Sequence, residues 1–309
     1  MKIIKPKFWE KKYNLISLLM LPITILLQIL FIIKKNLTVE HSFKIPVICV
    51  GNIYVGGTGK TPLSITIAKE LIKRKKKPAI IKKYYSKHID EHNLINNNLS
   101  CLFLDKDRSV AINNAEKKQR DIAILDDGFQ DYSIKKDLSI LCFNSNQLIG
   151  NGMTLPSGPL REKINSIKKS QIILINGRKN KAFESKIFNI SKKVEIFYSK
   201  YLPINIKDFK KKKLFAFAGI GNPNNFFKLL IDNNLDIKKK LIFPDHYEFS
   251  KSEIKEMSNY AKRNKFELVT TEKDYFRIKK YNFKNIKFLK IKLDIFEKDK
   301  LMKKILKCK

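Results

Sequence analysis

The stretch Val47–Thr61, VICVGNIYVGGTGKT, decides the fold. Val47 to Val50 is an apolar, largely β-branched run of the kind that fills the centre of a parallel sheet. It passes through Gly51 into a loop holding Gly56, Gly57 and Gly59, and then into Lys60 and Thr61. Glycines let successive backbone N–H groups turn inward around phosphate oxygens, and a helix starting just afterwards adds the positive end of its dipole. In such a cradle the lysine reaches the β- and γ-phosphates and the adjacent hydroxyl ligates Mg2+. Tyr54 stands where the usual pattern has its first glycine, and the Gly56–Gly57 pair supplies the flexibility instead. Tyr54, Val55, Gly56, Gly57, Thr58, Gly59, Lys60 and Thr61 are therefore the expected triphosphate-binding residues, with a helix from about Lys60 to Lys73 carrying Leu63, Ile67 and Leu71 on one face.

A phosphate cradle needs an acidic residue at the tip of a neighbouring strand, where a carboxylate holds Mg2+ directly or through water. The run Asp121–Gln130, DIAILDDGFQ, provides Asp126 and Asp127 after four apolar residues. Further apolar runs at Ile45–Val50, Ala79–Ile81, Cys101–Leu104, Ile122–Leu125 and Ser139–Phe143 read as parallel strands. More strands at Ile172–Ile175, Val194–Tyr198, Leu214–Ala218, Glu267–Thr270 and Ile286–Ile291 imply a second α/β unit. The expected fold is α/β: a P-loop NTPase-like doubly wound sheet with a second, smaller α/β domain. Lysine-rich Lys207–Lys213 marks the boundary, giving a core domain over 37–209 and a C-terminal domain over 210–309.

Composition narrows the partners. The chain has 309 residues with 64 Lys+Arg against 29 Asp+Glu, a net charge of +35. That balance favours an anionic partner: nucleic acid, an anionic membrane face or a phosphorylated substrate. The excess is mostly lysine, beside abundant isoleucine and asparagine, as an AT-rich genome produces. Arginine-glycine tracts and zinc-knuckle spacings are absent, so no nucleic-acid partner is expected. Cys49, Cys101, Cys142 and Cys308 form no C-x-x-C pair, which fits a reducing cytosol and neither a disulfide framework nor a zinc site.

At the N-terminus, Leu15 to Ile33 is a run of nineteen residues without a charge, flanked by Lys11, Lys12, Lys34 and Lys35. As one helix it would extend about 28 Å, close to the roughly 30 Å hydrocarbon thickness of a bilayer. Ser17, Pro22, Thr24 and Gln28 weaken a spanning helix, while Phe8, Trp9 and Tyr13 beside lysines suit an interfacial one. Residues 1–36 are expected to be a membrane-associating helix, with spanning and interfacial placements both open.

Six motifs occur in one order: VGNIYVGGTGKTP, DDGFQ, NGMTLPSGPLRE (Asn151–Glu162), FAGIGNPNNFF (Phe217–Phe227), FPDH (Phe243–His246) and TEKD (Thr271–Asp274). Together they resemble the tetraacyldisaccharide 4'-kinase family over nearly the whole chain. The resemblance implies ATP- and Mg2+-dependent phosphorylation of a lipid A disaccharide precursor at the cytoplasmic face of a Gram-negative inner membrane. It also implies site roles. The family's Asp-Glu pair maps to Asp90 and Glu91, with Asp90 as base for the 4'-hydroxyl and Glu91 near the substrate. The tyrosine of its Arg-Gly-Tyr-Gly motif maps to Tyr85 as a substrate contact, although Lys83, Tyr84 and Ser86 replace the arginine and glycines. The first histidine of FPDHH, which pairs with the aspartate, maps to His246, and Tyr247 replaces the second. The LREP arginine and glutamate map to Arg161 and Glu162, near the triphosphate and the metal. Charge neutralisation then falls to Lys60 and Arg161, and metal binding to Thr61, Asp126, Asp127 and Glu162. His88 and His92 read as solvated.

Two other classes share parts of this pattern. A membrane-associated P-loop switch ATPase would have the cradle and the apolar segment but no need for Asp90 with His246. A GTPase would need N/T-K-x-D, and Thr271–Asp274 places its lysine one position late.

Overall fold

The computed structural model describes residues 6–85 and 89–308. Two apolar helices, α1 (Leu15–Leu19) and α2 (Leu21–Asn36), precede β1 (Val47–Gly51), α3 (Lys60–Lys73) and β2 (Pro78–Lys83). Next come α4 (Ile89–Asn98), β3 (Leu102–Asp105), α5 (Arg108–Lys117), β4 (Ile122–Asp126), β5 (Leu138–Asn144) and β6 (Ile172–Asn176). The chain continues through α6 (Lys181–Ile190), β7 (Glu195–Pro203), β8 (Lys213–Ala218), α7 (Pro223–Asp232) and β9 (Asp236–Ile242). It ends with α8 (Lys251–Arg263), β10 (Glu267–Thr271), α9 (Glu272–Ile278), β11 (Ile286–Leu289), β12 (Ile291–Ile295) and α10 (Lys298–Leu306).

Among the described residues, the larger of two units takes in 6–84, 101–200 and 294–308, and the smaller takes in 85–100 and 201–293. This division differs from a single cut near Lys207–Lys213, because contacts and not sequence order define a unit. The C-terminal stretch returns to the larger unit, where Arg74 donates to Asp299 at 2.7 Å and the Phe296 N–H donates to Tyr198 O at 2.8 Å. Residues of α4 join the smaller unit, where Asp90 meets Arg277 of α9.

The larger unit is built on an eight-stranded sheet in the order β12-β7-β6-β5-β1-β4-β2-β3, and the pairs from β7 to β3 are parallel. Strands β1, β4, β5 and β6 are buried along their whole length, which explains their nearly unbroken apolar runs. Strand β1 lies between β4 and β5, so the chain leaves it for β2 on one side and reaches β5 on the other. At such a switch point the loops after neighbouring strands diverge and leave a crevice at the carboxyl ends. Register places Val50 beside Asp126, which puts the acidic strand tip next to the start of the glycine-rich loop.

The smaller unit has a parallel four-stranded sheet in the order β11-β10-β8-β9. Alternation along β8 sends Leu214, Ala216 and Ala218 into one core with Phe226, Phe227 and Leu230 of α7. Phe215 and Phe217 enter the opposite core with Ile254 and Met257 of α8 and Ile278 of α9.

The N-terminal segment corrects one expectation. The uncharged run forms two helices separated at Met20, and α2 begins with Pro22 in its first turn. At 16 residues α2 is about 24 Å long. Among the described residues no helix is long and apolar enough to cross a membrane. Its polar residues face the protein: Ser17 and Thr24 are buried, and Thr24 Oγ1 shares a 2.7 Å hydrogen bond with Ser157 Oγ. Gln28 donates to Thr154 Oγ1, Asn151 Nδ2 to Ser17 Oγ at 3.2 Å, and Trp9 Nε1 to Pro156 O at 3.0 Å. The apolar residues face outward instead, among them Leu15, Leu19, Ile23, Leu26, Leu30 and Ile33.

Candidate active site

The glycine-rich loop of the larger unit is held by Asn52, whose amide donates to Tyr54 O at 2.6 Å, Gly56 O at 3.3 Å and Thr58 Oγ1 at 2.9 Å. Gly56 and Gly59 have φ of 117° and 94°, a region closed to side chains bearing Cβ. Gly59 caps α3, so the loop runs directly into the start of that helix. The Tyr54 ring is buried in the core and the residue forms an antiparallel bridge with Leu160, so it is the backbone of Tyr54 that lies in the loop.

Asp126 is wholly buried at the tip of β4. Its Oδ2 accepts from Thr61 Oγ1 at 2.9 Å and from Lys82 Nζ at 2.6 Å, and Oδ1 accepts from Ser64 Oγ at 3.2 Å. Asp127 faces different partners, with Arg161 at 2.9 Å and Lys60 at 3.6 Å. Burial works to raise the Asp127 carboxyl, but the charges of Lys60, Arg161 and Lys82 prevail and hold it below the ordinary carboxylate range. Glu162 accepts from Gln130, Tyr132 and Lys169 at 3.1, 2.7 and 3.0 Å. The four expected metal ligands are thus not gathered: Thr61 and Asp126 adjoin, while Asp127 and Glu162 serve cations and hydrogen bonds of their own.

Among the described residues no group of three or more His, Cys, Asp or Glu side chains is placed to hold a metal ion. A hydroxyl beside one carboxylate at the start of α3 nevertheless suits Mg2+, which takes one or two protein oxygens and fills its octahedron with phosphate and water. Asn52, Lys82 and Gln130 were absent from the sequence-level site. Gln130 Nε2 donates to both Asn52 O at 2.9 Å and Glu162 Oε1 at 3.1 Å, and so links the end of β1 to the Arg161–Glu162 segment. That segment also pairs with the cradle, through Val55 N–H to Pro159 O at 2.8 Å and Arg161 N–H to Ile53 O at 2.7 Å.

The smaller unit gathers the other expected residues at the ends of β8 and β10. Thr271 is the N-cap of α9, and its hydroxyl accepts from the Asp274 N–H at 3.1 Å while donating to Asp274 Oδ2 at 2.7 Å. TEKD is therefore a helix-capping sequence. From α9, Lys273 reaches Glu91 at 2.9 Å and Asp245 at 3.7 Å. Arg277 Nε and Nη2 both donate to Asp90 Oδ2, at 2.9 and 2.6 Å. His246 has a φ of 56°, and its Nδ1 lies 3.8 Å from Asp90 Oδ2, adjacent but beyond hydrogen-bond reach. The expected pair is brought together, but Arg277 makes the close contact with the carboxylate. Rings of Phe243, Tyr247 and Phe249 pack on one another at 4.8–5.1 Å and fix the loop on either side of His246.

Burial and the nearby Lys273 ammonium lower the His246 pKa from 6.5, so the imidazole is neutral at pH 7. Burial opposes the charge on Lys273, yet Glu91, Asp245 and Asp90 outweigh it and raise the ammonium above its ordinary value. Tyr85 is half exposed. His92 is buried in α4, contrary to its reading as solvated, because α4 packs that face inward. His88 and Ser86 lie outside the described residues.

Comparisons with known proteins bear on the whole chain. The LpxK family model, tetraacyldisaccharide-1-P 4'-kinase, matches residues 16–308. A tetraacyldisaccharide 4'-kinase of Pelagibacter ubique is 42% identical over 99% of this chain and 98% of its own length. One from Rickettsia canadensis is 32% identical over 99% of this chain and 98% of its own. Among solved structures, LpxK from Aquifex aeolicus in complex with ATP is similar with a TM-score of 0.74 at 23% identity, covering 95% of this chain and 99% of that one.

Proposed function

The chain belongs to the tetraacyldisaccharide-1-P 4'-kinase family, and from that premise we propose that it transfers the γ-phosphoryl group of ATP to the 4'-hydroxyl of a tetraacylated disaccharide 1-phosphate. The observation that carries this reading is the identity to the Pelagibacter relative over nearly the full length of both chains. The site chemistry agrees with it. Phosphoryl transfer asks a protein mainly for positioning and charge neutralisation. The loop amides and Lys60 hold the triphosphate, and Arg161 neutralises charge as the bond to the β-phosphate oxygen breaks. When these cations turn to phosphate, Asp127 is the carboxylate they leave. Thr61 and Asp126 would hold Mg2+, which supplies further neutralisation at the phosphate oxygens. Asp90 accepts the hydroxyl proton as the sugar oxygen bonds to phosphorus, and Glu91 and Tyr85 contact the sugar.

The same reading assigns the outward apolar face of α1 and α2 to a membrane surface. Its exposed leucines and isoleucines are flanked by Lys11, Lys12, Lys34 and Lys35, the arrangement that seats a helix in the interface of an anionic leaflet. With ATP as donor, that leaflet is the cytoplasmic face of the bacterial inner membrane.

The test mixes purified protein, labelled ATP, Mg2+ and the disaccharide lipid in detergent. Label is expected on the lipid and absent with Lys60→Ala. ATP turnover without lipid labelling would replace this reading with that of a switch ATPase.

A further inference from the structure

We propose that Arg277 is the positioning residue for Asp90, fixing which carboxylate oxygen faces the acceptor hydroxyl. The inference rests on the reading of Asp90 as the base. The Arg277 side chain is 10% exposed, and its guanidinium is engaged on several sides. Nε and Nη2 donate to one oxygen of Asp90, Oδ2, while Nη1 donates to Gly219 O at 2.6 Å and Asp274 Oδ1 at 2.7 Å. Asp274 is itself wholly buried and held from two directions, by Gly219 N–H at 3.0 Å and by the Thr271 hydroxyl.

A chain of charge-assisted bonds thus runs from the end of β8 through Asp274 and Arg277 to Asp90. A planar guanidinium tied at three corners cannot rotate, so it transmits the position of the sheet edge to the carboxylate. Asp90 projects from the first turn of α4, and its side chain is 2% exposed. Its Oδ2 is taken by Arg277, and Lys273 Nζ stands 3.7 Å from the same atom. Among the described residues the other oxygen, Oδ1, is buried and has no hydrogen-bond partner. A buried carboxylate oxygen without a donor is costly, and a catalytic role is one reason for a site to keep one. Locking Oδ2 leaves Oδ1 as the oxygen whose lone pairs are free to accept the hydroxyl proton.

His246 cannot supply this orientation by itself, since its Nδ1 is 3.8 Å from Oδ2 and 3.5 Å from Arg277 Nη2. Arg277 stands between the two members of the expected pair. A base displaced by about 1 Å loses on the order of a hundredfold in rate, and a positioned base contributes about 10²–10⁴.

The experiment compares full-length wild type, Arg277→Ala, Arg277→Lys and Asp90→Asn in the lipid-labelling assay, with thermal unfolding recorded on each. For Arg277→Ala the expected result is a fall in kcat of about 10²-fold with KM for ATP within about twofold. Millimolar guanidinium should restore at least tenfold of that loss, and methylammonium should not. Arg277→Lys is expected to keep its unfolding temperature and still lose rate, because a point charge cannot hold both Asp274 and Asp90. If Arg277→Ala fails to fold, this lysine variant alone decides the case, and wild-type kcat in it overturns the proposal. So does a folded Arg277→Ala that either turns over within threefold of wild type or ignores guanidinium. Asp90→Asn separates the two claims. If that variant keeps wild-type turnover, the base reading falls. If it is inactive while the Arg277 variants are normal, only the positioning role falls.

Discussion

Replacing Lys82 by methionine isolates a pair that burial makes expensive to break. The Lys82 and Asp126 side chains are 6% and 0% exposed, and Nζ and Oδ2 lie 2.6 Å apart. Methionine keeps most of the apolar stem in place, so the change removes charge more than packing. What remains is a buried carboxylate with two hydroxyl donors, Thr61 at 2.9 Å and Ser64 at 3.2 Å. Removing one partner of a buried ion pair costs about 3–5 kcal/mol, and the surviving hydroxyls place this case near 3. For a unit of this size that is a drop of roughly 6–12 °C in Tm. Asp126→Asn should offset the loss, because the amide needs no counter-charge. The Lys82→Met/Asp126→Asn cycle should therefore show a coupling of about 2 kcal/mol or more. Urea unfolding in Mg2+-free buffer measures all four corners, and the cycle separates the Asp126 contact from the other neighbours of Lys82. A single variant that loses less than about 1 kcal/mol, or a double variant no more stable than it, would refute the reasoning.

Three further outcomes follow from the same geometry. Leu26→Glu with Leu30→Glu, both on the outward face at 58% and 53% exposure, should abolish flotation with anionic vesicles while stability changes by less than about 0.5 kcal/mol each; unchanged flotation would remove the membrane role of that face. Because the folded pKa of His246 is lowered, the unfolded chain binds more protons below about 6.5, so this group's contribution is complete above that pH and is lost as pH falls through the folded pKa. His246→Gln should flatten that part of the acid limb in a pH series of urea unfolding, and an identical acid limb in the variant would show that His246 is not its source. Burial pushes the Cys49 thiol up to about 12 and raises Cys142 as well, so both should react with a thiol reagent only as the protein unfolds, after the half-buried Cys308. Prompt labelling of native Cys308→Ala at Cys49 or Cys142 would contradict that burial.

The cradle and the acidic strand tip were legible because each is local: a β-branched run, a glycine-rich turn and a helix face all lie within a few residues of one another. The partners that complete the site were not, since they meet only through the fold. Gln130 reaches Asn52 across 78 positions, and Arg277 reaches Asp90 across 187. No spacing rule links residues so far apart; sheet order and helix packing bring them together. TEKD was visible as a motif, but the four letters alone did not disclose a helix cap whose third and fourth residues and following turn carry Lys273, Asp274 and Arg277. The units of the fold depart from a single cut near Lys207–Lys213 for a related reason, because a unit assembled from separate stretches leaves no single compositional seam.

The N-terminal segment shows how the same residues change meaning once their face is known. Ser17, Thr24 and Gln28 look like defects in a membrane helix when counted by composition. Their separations of seven and four place them on one stripe, and that stripe is the docked one. The amphipathicity is inverted relative to a soluble surface helix: polar groups bond to the loop 151–157 and apolar groups face out. Such polar contacts specify where a helix sits in a way that leucine packing against leucine would not. The loop they grip continues through Pro159 and Leu160, which bond to the cradle, into Arg161 and Glu162. The polar residues that interrupt the apolar run are therefore the ones that tie it to the phosphate-binding end of the sheet, and their loss should disturb Arg161 before it disturbs the core.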